Sequence, residues 1–161
     1  MIPDTLLMEA ETLLAACRAK GIRLATAESR TGGLLAATLT AIAGSSDVVD
    51  RGFVTCSNEA KTELIGVPPS LIQTHGAVSE PVARAMAGGA LVRSRASIAV
   101  SVTGVAGPEG GSAEKPVGLV CFGLARKGEP VISERHVLPG GRAGIRAATV
   151  AHAFAMIRAR V

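Results

Sequence analysis

The chain has 161 residues, of which 48% are hydrophobic and 19% charged, so it is long and apolar enough to fold as one domain with a substantial core. No apolar run approaches the ~20 residues that a membrane helix requires. The formal charge of +4 with only 2% aromatic residues suits an anionic small molecule better than nucleic acid, because base stacking needs aromatic platforms.

The first 43 residues predict a helix, a strand and a second helix. Apolar spacing indicates an amphipathic helix over about Asp4–Lys20, followed by a strand at Ile22–Ala27 and a helix at Thr31–Ala43. The turn between strand and helix contains Ser29. Free N–H groups at such a turn favour anions or oxyanions, so Ser29 is either a helix cap or a nucleophile.

The next segment predicts a second strand–helix unit. Gly44–Asp47 is a cap-like cluster that predicts a short helix through Val48–Asp50, and Gly52–Cys56 predicts a strand. A helix begins at Ser57 or Asn58, runs through Leu64 and is closed by Gly66, Pro68 and Pro69. Lys61 falls in its first turn. The positive end of the helix dipole would lower the pKa of this lysine there; the alternative is a solvated surface lysine.

The second half predicts one more helix, three strands and a final helix. Ser79 caps a helix to about Arg93, and strands are predicted at Ser97–Thr103, Val117–Ala125 and Val131–Leu138. The glycine-rich loop Thr103–Gly111 follows the first of these strands, where ligands bind in open α/β sheets. Arg142 opens the last helix, as an anion ligand or a solvated arginine.

Cysteine and histidine spacing predicts no metal centre. The three cysteines are dispersed, which favours a reducing cytoplasm over a disulfide framework or zinc site. His75, His136 and His152 are far apart, and His152 falls on the buried face of the last helix as a packing residue. The element order, α-β-α-β-α-α-β-β-β-α, predicts an α/β fold with a five-stranded mixed sheet between helices.

Several segments together resemble the CinA C-terminal domain family of nicotinamide-nucleotide amidases. They are Thr26–Ser29 with Thr31–Gly33, Gly44–Ser46, Val54–Thr55 with Ser57–Lys61, Gly76–Glu80, Thr103–Pro108 with Gly110–Gly111, and Lys115–Gly118. They cover nearly the whole chain in order. The chain looks like the stand-alone form, one domain over residues 1–161.

The resemblance implies a three-layer α/β/α fold whose sheet has one antiparallel strand. It also implies hydrolysis of nicotinamide mononucleotide to nicotinate mononucleotide and ammonia, a step in pyridine nucleotide recycling. The family uses a serine–lysine dyad without metal or other cofactor, which assigns Ser29 as nucleophile and Lys61 as its base. A neutral lysine can activate a serine in this way.

We expect substrate contacts from the matching segments and from Arg142. The set is Glu28, Thr31, Gly32, Gly33, Ser45, Thr55, Asn58, Thr103, Gly104, Gly107 and Arg142. N–H groups near Thr31–Gly33 would form the oxyanion hole. The chain departs from the family at Arg30, where Cys is usual, and at Cys56, where Tyr is usual.

These departures keep a second function class open. It is a nucleotide-binding or competence-related regulatory module that retains the pocket without turnover. In either class a cytoplasmic homodimer is the default expectation.

Overall fold

The computed structural model describes all 161 residues and contains one five-stranded mixed sheet. The strands are β1 (Leu24–Glu28), β2 (Val49–Val54), β3 (Ile98–Gly104), β4 (Leu119–Arg126) and β5 (Ile132–Val137), in the spatial order β2-β1-β3-β4-β5. β1 pairs in parallel with both β2 and β3, whereas β4 is antiparallel to β3 and β5. β4 is therefore the one antiparallel strand, as predicted.

Six α-helices cover the two faces of the sheet. They are α1 (Asp4–Ala19), α2 (Leu34–Thr40), α3 (Asn58–Ile65), α4 (Pro69–His75), α5 (Glu80–Val92) and α6 (Arg142–Arg158). Side chains of α1, α2 and α6 form one apolar core with Leu24, Val100 and Phe122 of the sheet, and those of α3, α4 and α5 form another with Ala25 and Ala99. Alternate residues of a strand face opposite sides, so the three-layer α/β/α expectation is confirmed.

Four local predictions are wrong. The second strand spans Val49–Val54 instead of Gly52–Cys56, because the chain enters it directly after the turn at Ser45–Asp47. Pro69 does not close α3 but occupies the first turn of α4, where the missing proline N–H costs nothing. The short helix after Gly44 is a 3₁₀ turn at Ser45–Asp47, because the chain already enters β2 at Val49. The second helix begins at Leu34 instead of Thr31.

The predicted caps Ser57 and Ser79 are confirmed. The Ser57 hydroxyl accepts a hydrogen bond from Ala60 N at 3.0 Å, and that of Ser79 accepts one from Val82 N at 3.4 Å. None of the helices combines the length and apolar composition needed to cross a bilayer.

Candidate active site

The turn that follows β1 is anchored between two neighbouring strands. Ser29 N donates to Val102 O of β3 at 3.2 Å, and Thr55 N donates to Glu28 O at 2.8 Å just after β2. Gly32 and Gly33 have φ values of 58° and 102°, in the left-handed region that glycine tolerates. The turn therefore holds Ser29 at the carboxyl edge of the parallel part of the sheet.

Glu28 caps the helix that follows this turn. Its carboxylate accepts hydrogen bonds from Leu35 N at 2.9 Å, Ala36 N at 3.0 Å and the Thr31 hydroxyl at 2.5 Å, and the residue is fully buried. An anion at a helix N-terminus also meets the positive end of the dipole. Glu28 is thus a structural cap whose two oxygens are engaged within the chain, and its contact with substrate stays a prediction. Neither Ser29 nor Thr31 caps α2.

Ser29 and Lys61 are in hydrogen-bonding contact. Lys61 Nζ lies 3.3 Å from Ser29 Oγ and 2.8 Å from Thr55 O, and the lysine is only 1% exposed. A neutral amine in this place can donate one proton to the carbonyl and direct its lone pair at the serine hydroxyl. The alternative of a solvated surface lysine is therefore wrong.

The surroundings of Lys61 favour its neutral form. Burial is the main cause that lowers the pKa of the Lys61 ammonium, the Cys56 side chain opposes this shift, and the nearby Arg30 cation adds to it. No carboxylate contacts the amine to restore its charge. A lowered pKa moves Lys61 toward the neutral form that a general base beside a serine needs.

The two departures from the family pattern lie on either side of this pair. Arg30 follows the serine directly and is exposed. Cys56 is an exposed free cysteine whose Sγ lies 3.7 Å from Ser29 O. Both side chains are close enough to Ser29 or Lys61 to influence the pair.

Several N–H groups of the turn have no acceptor within the chain. Gly32 N donates to Ser29 O at 3.1 Å, but the N–H groups of Arg30, Thr31 and Gly33 make no such bond. Free N–H groups next to a nucleophile are the usual donors to a developing oxyanion. The oxyanion hole stays a prediction, with Gly32 N as its least available donor.

A cavity of about 540 Å³ lies beside the turn. It is lined by Arg30, by the segment 76–78, by the loop from Gly104 to Gly107, and by Lys115 and Arg142. Arg142 donates to Gly107 O at 2.8 Å, and Lys115 Nζ donates to His75 O at 2.6 Å, so both cations are fixed in the wall. Three cations against one lining carboxylate, that of Glu109, suit an anionic ligand.

Of the remaining predicted site residues, Thr55 and Thr103 lie at the serine–lysine pair or in the cavity wall, and Ser45 and Asn58 lie elsewhere. Thr55 accepts from Lys61 through its carbonyl oxygen, and the buried Thr103 hydroxyl donates to Ala77 O in the cavity wall. Ser45 precedes β2 and therefore lies near the amino ends of the parallel strands, whereas Ser29 lies at their carboxyl ends. Asn58 lines a separate groove between α3 and α4. The predictions that Ser45 and Asn58 share the pocket are not supported by this arrangement.

Sequence reasoning missed two groups of residues. Arg146, one helical turn after Arg142, donates to Thr31 O at 2.8 Å and so braces the turn; the i, i+4 spacing of the two arginines was the available signal. His136 and His152 both contact Glu134, although no metal motif links them in sequence. That cluster is the one group of side chains in the structure that could hold a metal ion.

The fold and the site together define a class of protein. It is a three-layer α/β domain that presents a buried serine–lysine pair at the carboxyl edge of its parallel strands, next to a cationic cavity. The sequence profile described as CinA C-terminal domain matches residues 8–161. The chain belongs to the CinA C-terminal domain family.

Relatives agree with this assignment. The nicotinamide-nucleotide amidohydrolase PncC of Enterobacter agglomerans is 54% identical over 132 residues, which cover 82% of this chain and 80% of that protein. A CinA-like protein of Mycobacterium avium is 55% identical over 143 residues, 86% of this chain but 33% of the relative. This chain thus spans about a third of the length of the first curated relatives that it matches.

A solved structure shows the same fold along nearly the whole chain. The competence/damage inducible protein CihA of Agrobacterium tumefaciens superimposes with a TM-score of 0.95 at 48% identity. The superposition covers 99% of this chain and 97% of that protein.

Proposed function

We propose that the chain is an amidohydrolase that converts nicotinamide mononucleotide to nicotinate mononucleotide and ammonia with a Ser29–Lys61 dyad. The observation that supports the mechanism is the contact of 3.3 Å between Lys61 Nζ and Ser29 Oγ inside the protein. The similarity to PncC over most of the length of both chains supports the substrate. The reaction would be a step of pyridine nucleotide recycling.

The first half of the reaction acylates the serine. Neutral Lys61 takes the proton of the Ser29 hydroxyl while Oγ attacks the carboxamide carbon, which gives a tetrahedral intermediate with a negative oxygen. Free N–H groups of the turn stabilise this oxyanion, each by about 3 kcal/mol as in other hydrolases. Lys61 then returns the proton to the amide nitrogen, the C–N bond breaks, ammonia leaves and an ester to Ser29 remains.

The second half hydrolyses the ester. A water molecule enters where ammonia left, gives its proton to Lys61 and attacks the ester carbon. The C–O bond to Ser29 breaks, the proton of Lys61 returns to Oγ, and the carboxylic acid product ionises. The net change is one amide and one water converted to one carboxylate and one ammonium ion.

The cavity would hold the phosphate of the nucleotide. Arg142 and Lys115 are fixed in its wall by single backbone contacts, so each retains further N–H groups for a phosphate. Gly104 and Gly107 in the same wall let the ligand approach the backbone closely. A cytoplasmic homodimer belongs to the proposal as the expected setting and assembly.

Ammonia release from nicotinamide mononucleotide tests the proposal. Native protein is expected to release ammonia, and Ser29→Ala and Lys61→Ala are expected to lose at least a hundredfold in kcat/KM. Two exposed residues outside the site, Ser46 and Lys127, supply matched controls as Ser46→Ala and Lys127→Ala. Both controls should retain native activity.

Two outcomes would change the proposal in different ways. Activity that survives Ser29→Ala would overturn the dyad but keep the reaction. Nucleotide binding by the native chain with no ammonia release would instead favour the regulatory module, and the replacement of tyrosine by Cys56 would then be the first cause to examine.

A further inference from the structure

Three side chains with metal-binding atoms converge at the free edge of the sheet. Glu134 and His136 are two residues apart on β5 and therefore point to the same face, and His152 meets them from α6. Glu134 Oε1 lies 2.7 Å from His136 Nε2 and 2.8 Å from His152 Nε2. One ligand atom from each residue lies within 4.8 Å of the other two.

The two imidazole rings are held in place by a buried phenylalanine. Phe122 on β4 is fully buried, and its ring centroid lies 4.6 Å from that of His152 and 5.9 Å from that of His136, both in edge contacts. The two imidazoles are themselves 4.5 Å apart between centroids. Phe122 is also the cross-strand partner of Glu134. Packing against Phe122 thus positions the two imidazole rings, while all three ligand side chains remain partly exposed.

We propose that Glu134, His136 and His152 form a site for a divalent transition-metal ion, with Zn²⁺ as the expected occupant. Two imidazole nitrogens and one carboxylate oxygen are a common zinc donor set with an open position for water. Such a set selects against Mg²⁺ and Ca²⁺, which prefer oxygen ligands. The site does not include Ser29 or Lys61, so it is independent of the proposed function.

The geometry requires only a small adjustment on metal binding. Tetrahedral zinc with bonds of about 2.0–2.2 Å places its ligand atoms roughly 3.3–3.5 Å apart. The two present contacts of 2.7 Å and 2.8 Å would lengthen by about 0.6 Å, which partly exposed side chains can supply. A neutral imidazole then keeps its proton on Nδ1 and binds the metal through Nε2.

A metal at this place would tie α6 to the edge strand. β5 has one sheet neighbour, β4, so its other side is unpaired. His152 lies on the same helix as Arg142 and Arg146, which reach the cavity wall and the turn after β1. We therefore expect a structural ion that stabilises the folded chain by linkage.

Zinc titration of the full chain tests the proposal. Chelator-treated protein is titrated with Zn²⁺ by calorimetry, and thermal unfolding is followed with and without the ion. We expect one ion per chain and a rise in Tm. His136→Ala and His152→Ala should each weaken binding at least tenfold and remove the rise in Tm. Glu134→Gln, which preserves side-chain shape, should weaken binding as well.

Two control variants separate this site from other zinc ligands. His75 is exposed and outside the cluster, and Cys56 is the exposed thiol, so His75→Ala and Cys56→Ser should bind as the native chain does. Co²⁺ bound to the native chain in place of zinc should give visible d–d absorption without a thiolate charge-transfer band. This measurement does not depend on the folding of any variant.

Three results would overturn the proposal. They are no stoichiometric binding by native protein, equal affinity in the native and both cluster histidine variants, or loss of binding in Cys56→Ser. In each case the cluster is a carboxylate shared by two histidines and no more.

Discussion

Removal of the Glu28 carboxylate should destabilise the protein more than most single substitutions. This residue is fully buried, and its oxygens accept from two backbone N–H groups of α2 and from the Thr31 hydroxyl. Glu28→Ala leaves all three donors without a partner. A lost hydrogen bond to a charged group costs about 1.5–3 kcal/mol, and some relaxation of the helix end will recover part of this.

We expect Glu28→Ala to lower the free energy of unfolding by about 3–5 kcal/mol in total. Domains of this size have ~5–15 kcal/mol of stability, so the loss is a large fraction. Glu28→Gln keeps the shape and one acceptor oxygen, and it should cost only about 1–2 kcal/mol. Urea unfolding at 25 °C, followed by far-ultraviolet circular dichroism, measures both.

The same variants report on the site. The Glu28 carboxylate fixes the turn that contains Ser29. Glu28→Gln should therefore fold, and its ammonia release should be lower than that of the native chain because the turn is held less firmly. A Glu28→Ala protein within about 1 kcal/mol of native stability would refute the capping argument, and so would equal losses in both variants.

Three further predictions follow from individual side chains. The lowered pKa of Lys61 means that the unfolded chain binds one more proton between that pKa and the ordinary lysine value. In this window Lys61 should make stability rise with pH, by up to about 1.4 kcal/mol per unit. Urea titrations of the native chain and of Lys61→Met should differ by that slope, because the buried Cys17 and Cys121, whose raised pKa values act in the opposite direction, are common to both. A Cβ at Gly89 would lie 1.8 Å from Ile65 O, so Gly89→Ala should lower Tm, whereas Gly144→Ala, with open space around it in α6, should raise it slightly by calorimetry. Of the three cysteines, Cys56 alone is exposed, so a thiol reagent should modify one group per native chain and three in denaturant; fast reaction of two or more in the native state would contradict the fold.

Much of the fold could be predicted because its signals are local. Ser57 and Ser79 each stand directly before a helix and cap it through their own hydroxyls, so sequence order alone identifies them. Alternation of small and branched residues identifies β3 in the same way. Pro69 shows the limit of local signals. A proline that begins a helix and a proline that follows the end of one look alike in sequence, and Pro68 and Pro69 stand between α3 and α4.

The site predictions that the arrangement does not support depend on distant contacts. Ser45 resembles Ser29 as a small polar residue near a helix start, but it precedes its strand whereas Ser29 follows one, and this places the two at opposite sheet edges. Glu28 looked like a ligand residue because nothing in sequence shows that Leu35 and Ala36 use its oxygens. Such contacts are set by the tertiary path of the turn.

The Ser29–Lys61 pair follows from the adjacency of β1 and β2. Parallel neighbours end at the same edge of a sheet, so the turn after β1 and the segment after β2 meet there. Thr55 N then donates to Glu28 O, and the first turn of α3 brings Lys61 back over its own strand end to Ser29.

The cavity has a different origin, since it depends on the loop after β3 and on the start of α6. The pair and the cavity are thus built by separate elements that share the turn containing Ser29 and Arg30. Substitutions in the loop after β3 can alter which ligand is held without changing the burial that lowers the pKa of Lys61. In this chain, therefore, the ligand can be changed by substitution while the serine–lysine pair is kept.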